Sequence, residues 1–131
     1  MQSATHLGIS ASLCGEIVSL SPGGATVALR TTPEMSADDH GLVHGGFVFG
    51  LADYAAMLAV NDPHVVLGAA SVRFVAPVRV GEVVTAIAAR AAEKGRKHTL
   101  EVTASVGDRE VFTGSFTAFV LDSHVLSGSV G

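Results

Sequence analysis

One apolar run, GGFVFGLADYAAMLAVN from Gly45 to Asn61, limits the possible folds more than any other stretch. It is apolar on almost every side, longer than an ordinary strand, and rich in Ala, Leu and Met. It therefore reads as one helix buried all round. Pro63 in the following NDPH ends it, because proline pushes the residue before it out of helical geometry. Such a helix must be wrapped, and the rest of the chain supplies β segments. CGEIVSLSPGGATVALRT (14–31) reads as two strands about a Ser-Pro-Gly-Gly turn. After the helix, 65–93, 98–106 and 110–121 are rich in Val, Thr and Phe and are punctuated by PVRVGE, EKGRK and VGDRE. Short connections favour antiparallel neighbours over crossovers. The order is ββ, one helix, then three or four strands: an α+β fold with a long helix on an antiparallel sheet. The polar, glycine-containing stretch TPEMSADDHGLVHGG (32–46) reads as a loop with functional potential.

The 131 residues make a single domain, with a core over about 10–122 and a fraying tail over 122–131. Hydrophobic residues are 48 % and charged residues 15 %, so part of this surface is expected to be covered by another subunit. A net charge of -4 argues against general nucleic-acid binding. Nothing approaches the roughly 18 continuous apolar residues of a membrane span. MQSATHLGIS lacks the regions of a signal peptide. Cys14 is the only cysteine, which fits a reducing cytoplasm; it has no His or Asp partner in the sequence pattern and reads as packing.

Asp53 breaks the apolar helix. No Lys or Arg lies within two helical turns, so a local ion pair is not available, and a carboxylate there is costly unless hydrogen-bonded or beside a cleft. It either accepts hydrogen bonds from a loop or water without doing chemistry, or marks a working site. Gly46, Gly50, Asp53 and Met57 recur at intervals of four, three and four and share one face. Gly50 costs about 1 kcal/mol against Ala in a helix interior, and close approach of a ligand or of a packed sheet would each account for it. The start His44-Gly45-Gly46 offers helix N–H groups without intrahelical partners at the positive end of the dipole. With no Cβ in the way, a thioester oxygen held there would be stabilised as it became an oxyanion. Gly46 and Asp53 are separated by roughly 10 Å along the axis, too far for one small acyl carbon to touch both. Two helices meeting antiparallel about a two-fold axis would place Gly46 of one subunit opposite Asp53 of the other, giving two composite sites.

GLVHGGFVFGLADYA followed by SVRFVAPVRVGE resembles the hotdog-fold acyl-CoA thioesterases, in the branch of the phenylacetate-pathway thioesterase within the 4-hydroxybenzoyl-CoA thioesterase superfamily. The shared features are HGG with an acidic residue at the spacing of His44 to Asp53, then Phe74, Pro77, Gly81 and Glu82, over about residues 14–121. The resemblance implies a central helix wrapped by a curved antiparallel sheet, in dimers that join their sheets and pair into tetramers. It implies that the Gly46 N–H, with Gly45 nearby, polarises the thioester carbonyl. Asp53 of the partner subunit would act as nucleophile or as general base for water, and His44 would shape the loop. Two positions depart from the pattern. Relatives often carry Asn about six residues before the HGG histidine, where this chain has Asp38, Asp39 and His40. A helper hydroxyl would fall near Leu67 or Gly68, where there is none. A relative that cleaves fluoroacetyl-CoA has a histidine that would fall near Phe74.

Seven of the eight basic residues lie from Arg73 onward, with Arg90, Lys94, Arg96 and Lys97 in RAAEKGRKH. This is either a solvated turn or, for a CoA thioester, a place where Arg96 and Lys97 meet phosphates. Met57 and Gly50 complete the expected substrate-contacting set. His40 and His44 lie beside two Asp, but Gly41 breaks any shared face and nothing completes a metal set. No metal or separate cofactor is expected, coenzyme A being part of the substrate. The leading expectation is acyl-CoA thioester hydrolysis. The alternative is an acyl-CoA-binding module like the sensing domain of malonyl-CoA-responsive repressors, which lack the catalytic acid. A hotdog dehydratase is a third class, and its histidine-plus-acid spacing is not evident.

Overall fold

The computed structural model describes residues 1–127. A short helix α1 (Ala11–Cys14) leads into β1 (Glu16–Ser21) and β2 (Gly24–Arg30). A 3-10 turn at Pro33–Met35 and a loop precede the long helix α2 (Gly45–Val60). β3 (Val65–Phe74), β4 (Val83–Lys94), β5 (Lys97–Val106) and β6 (Arg109–Val120) complete the chain. The strands form one six-stranded sheet in the order β1-β2-β4-β5-β6-β3, antiparallel throughout. No helix among the described residues is long and apolar enough to cross a membrane.

Alternation along the strands decides which face of the sheet grips the helix. Ala25, Val27 and Leu29 of β2, Val84, Ala86 and Ala88 of β4, and Leu100, Val102 and Ala104 of β5 are buried against it. Their intervening neighbours face outward. On α2, Leu51, Ala52, Ala55, Ala56, Leu58 and Ala59 are buried, and the alanines let the helix sit close to the sheet. Asn61 ends the helix in left-handed geometry (φ 53°), its N–H donating to the Met57 carbonyl at 2.9 Å.

Antiparallel neighbours were expected from the short connections, and every pairing is antiparallel. Consecutive β3 and β4 are nevertheless not paired. β3 lies at the sheet edge beside β6, and residues 75–82 cross from that edge to β4 in the middle. The crossover is held by Val75 N–H on the Val111 carbonyl at 2.8 Å and by a turn at 79–82. There the Glu82 carboxylate accepts from Arg79 N–H at 2.7 Å and from the Arg109 guanidinium at 2.9 Å, and both hold its carboxyl below the usual range. Gly81 takes a positive φ of 97° in this turn, where a side chain would be strained. Thus the Pro77, Gly81 and Glu82 singled out in the sequence build a crossover.

The first ten residues form an arm along α2. Asn61 Oδ1 accepts from Ala4 N–H at 2.7 Å, and its amide donates to the Gln2 carbonyl at 3.0 Å. Thr5 is buried, and the His6 ring lies 6.1 Å from that of Tyr54. The packed structure therefore begins before residue 10. Of the tail expected over 122–131, residues 128–131 lie outside the described part.

Candidate active site

The helix start has the expected form. His44 is the N-cap in extended geometry, with its backbone N–H on the Met35 carbonyl at 2.9 Å and no side-chain cap. The Phe47 N–H donates back to the His44 carbonyl at 3.1 Å. Among the described residues, the N–H groups of Gly45 and Gly46 have no acceptor in the chain. The two glycines face different neighbours. A Cβ on Gly45 would come 3.1 Å from the Phe74 ring, and one on Gly46 would come 3.1 Å from the His44 ring. The two halves of the sequence motif, HGG and the strand ending in Phe74, therefore meet at Gly45.

The glycine stripe leads to the carboxylate. Gly46 is exposed, Gly50 has no atom within 4 Å of a would-be Cβ, and Asp53 is half-buried. Met57 continues the stripe but is only 1 % exposed, so the open part ends at Asp53. One carboxylate oxygen, Asp53 Oδ1, is buried without a hydrogen-bond partner. Burial pushes the Asp53 carboxyl up to about 6. An unpaired, half-buried carboxylate with a raised pKa, one helical turn from the open position at Gly50, is the kind of group that can take up a proton or attack an electrophile.

Within one chain these parts do not converge. Gly46 and Asp53 lie two turns apart on one helix, separated by roughly 10 Å along its axis. Arg96 and Lys97 lie at the β4–β5 hairpin, beside the other end of α2. Arg96 lines a recess there with Val60 and Asp62, and its guanidinium is paired with Asp122. Lys97 is exposed and has no ionic partner among the described residues. No group of residues able to hold a metal occurs among the described residues.

The sequence pattern did not show that Cys14 lies within reach of the charge of Asp53. Cys14 ends α1 and is held against α2 by Gly15, whose φ is 113° and whose would-be Cβ falls 2.7 Å from Val27 Cγ1 and 2.9 Å from Leu51 Cδ1. Burial raises the Cys14 thiol and the charge of Asp53 raises it further, so the two are electrostatic neighbours. Gly15 was the available signal, since a glycine directly before a strand often marks a forced backbone turn.

The acyl-CoA thioesterase N-terminal domain family matches residues 32–119. Uncharacterized protein PH1136 from Pyrococcus horikoshii is 48 % identical and superposes with a TM-score of 0.95, covering 96 % of this chain and 97 % of that one. A variant of the phenylacetic acid degradation protein PaaI from Thermus thermophilus is 31 % identical with a TM-score of 0.76, covering 83 % and 95 %. Methylthioribose-1-phosphate isomerase of Aquifex aeolicus is 48 % identical over 93 % of this chain, but the match spans 27 % of that protein. Transcription factor FapR of Caldanaerobacter subterraneus is 26 % identical over 90 % of this chain and 60 % of its own length. With the helix, the curved antiparallel sheet and the HGG start in place, the chain belongs to the acyl-CoA thioesterase N-terminal domain family and has the hotdog fold.

Proposed function

We propose that this protein hydrolyses an acyl-CoA thioester to the free acid and CoA. The observation that carries the reading is the half-buried Asp53 carboxylate, without a donor on Oδ1, at the end of an open stripe that starts at two free helix N–H groups. The Gly46 N–H, with Gly45 beside it, would hold the thioester oxygen as it gains charge. Asp53 of the partner subunit would take the proton of an attacking water or attack the carbonyl itself. In the first route the C–S bond breaks and the proton taken from water passes to the departing CoA sulfur. In the second CoA leaves as the thiolate, is protonated by solvent, and water then hydrolyses the acyl-aspartyl anhydride to the free acid and Asp53. A pKa of about 6 leaves Asp53 ionised at neutral pH yet more basic than an ordinary carboxylate. His44 shapes the loop at the helix start.

Two antiparallel helices of a homodimer would supply the missing half of each site, and dimers pairing into tetramers would cover more of the apolar surface. Along such a pair, the end of α2 that bears the β4–β5 hairpin extends from Asp53 past the partner's Gly46. Arg96 and Lys97 there are suited to the CoA phosphates. Gly50 would leave room for the substrate, and Met57 would back the stripe from beneath. No cofactor beyond the CoA of the substrate enters this scheme, and the free thiol of Cys14 fits a cytoplasmic setting.

The similarity to FapR favours a second reading, an acyl-CoA-binding module without turnover. The test is release of free thiol over a panel of acyl-CoAs, with Asp53→Asn beside the parent. Hydrolysis predicts release by the parent and a loss of at least a hundredfold in the variant. Binding without release from any thioester would establish the second reading, and full activity in Asp53→Asn would remove Asp53 from the mechanism.

A further inference from the structure

The helix start that we assign to the thioester carbonyl also forms one wall of an apolar cleft. Gly45 lines it, with a floor of buried Val48, Val78 and Val111 and a rim of Leu42, Phe74 and Val75, which are 41 %, 55 % and 53 % exposed. Its volume is about 280 Å³, just below the usual range for small-molecule sites. Large apolar groups left open around a glycine at a helix N-terminus match the needs of a substrate whose carbonyl is polar and whose next atoms are hydrocarbon.

Apart from the Gly45 N–H, which we assign to the thioester carbonyl, several backbone donors at the cleft are already taken. Val43 N–H donates to the Val78 carbonyl at 2.9 Å, and the Val75 and Ala76 N–H groups donate to the Val111 carbonyl at 2.8 and 3.3 Å. Among the described residues, no charged side chain lines it. Arg79 and His40 line a separate recess across the ridge of Leu42, Pro77 and Val78. Arg109 is bound to the Glu82 carboxylate and the Pro77 carbonyl, and the His44 ring packs edge-on against Phe47. A carboxylate or hydroxyl on an incoming acyl group would lose water and find no polar side chain to pair with here.

We infer that this cleft receives the acyl group of the substrate. The substrate class is then short to medium acyl groups, aliphatic or aryl, that carry neither charge nor hydroxyl, with Phe74 and Leu42 setting the accepted size. This rests on the hydrolase reading for the placement of the carbonyl at Gly45 and Gly46. It also separates the protein from a sensor of charged acyl groups, because such a ligand would have to leave its charge unpaired against valines.

The test is calorimetry with S-alkyl-CoA thioethers from butyl to decyl, which cannot be hydrolysed, and with carboxylate-terminated analogues of the same lengths. Affinity should rise about fourfold per methylene until the cleft is full and then level off. Each carboxylate analogue should bind at least tenfold more weakly than its alkyl counterpart. Leu42→Gln, at an exposed rim position that the fold does not depend on, should flatten the slope, and Phe74→Ala should move the plateau to longer chains. The inference is overturned by a slope of zero or by equal binding of the carboxylate analogues. It is also overturned if the two variants weaken plain CoA as much as the thioethers, which would place the pantetheine arm in the cleft. A change of oligomeric mass in these variants with the slope intact would make the cleft a subunit contact and overturn it too. A normal slope without thiol release from any acyl-CoA overturns the hydrolase reading alone.

Discussion

The Asp53 carboxylate should make the protein less stable at the pH where it works. Its pKa is about 6 in the folded chain, against 3.8 in a solvated carboxyl, with burial as the cause. Between those values the folded state holds a proton that the unfolded state has released, so stability falls as pH rises through that window and stays lower above it. Two pKa units correspond to about 3 kcal/mol. The residue is only half-buried, and an Asn amide would still leave an oxygen without a donor, so we expect about 1–2 kcal/mol. Asp53→Asn should match the parent near pH 4, where both are uncharged, and exceed it by that amount at pH 8. Urea unfolding at a fixed protein concentration, followed by far-UV circular dichroism from pH 4 to 8, measures the difference. The gap should open between pH 4 and 6 and then level off. A variant that is less stable at pH 8, or a gap independent of pH, would show that a donor compensates the folded carboxylate and that the unpaired-charge argument is wrong.

Three further outcomes follow from the same geometry. The parent's kcat/KM should rise with pH through about 6 and level off, since Asp53 must be ionised to act; a flat profile from pH 5 to 8 contradicts that role. Gly46→Ala places a methyl 3.1 Å from the exposed His44 ring, which can turn aside, so the melting temperature should stay within about 2 °C while turnover falls at least tenfold; loss of both together would point to a folding role. Gly15→Ala would strain a φ of 113° and drive a methyl against Val27 and Leu51, costing about 2–4 kcal/mol in urea unfolding; a loss under 0.5 kcal/mol would show that α1 can shift freely.

The sequence was most legible where one physical requirement dominated. An all-apolar run of helical length had to be a buried helix, and alternating Val, Ala and Leu around short turns had to be antiparallel strands. The place of β3 was less legible, because local turn chemistry favours neighbours and says nothing about which sheet edge is vacant. β4 already pairs with β2 and β5, so β3 must take an outer strand, and it takes β6; that competition is a property of the whole sheet. The N-terminal arm escaped for a different reason. Its bonds to Asn61 are polar and span more than fifty residues, so no periodicity in MQSATHLGIS announces them.

For the site, residue types and spacing identified the groups but not their surroundings. Helical spacing grouped Met57 with Gly46, Gly50 and Asp53, yet angle around a helix does not reveal what lies over each position, and Met57 is covered while Gly50 is open. Cys14 shows the same limit, since its approach to Asp53 depends on a backbone turn at Gly15 and not on any motif. The Cys14 thiol therefore gives an independent probe of the carboxylate. Burial and the Asp53 charge both hold its pKa up, so little thiolate should be present at pH 7.5 and alkylation should be slow. Asp53→Asn removes only the charge, and the alkylation rate of Cys14, followed by intact-mass spectrometry with iodoacetamide, should then increase. If the rate is unchanged while unfolded controls of both proteins react alike, the charge of Asp53 does not reach Cys14.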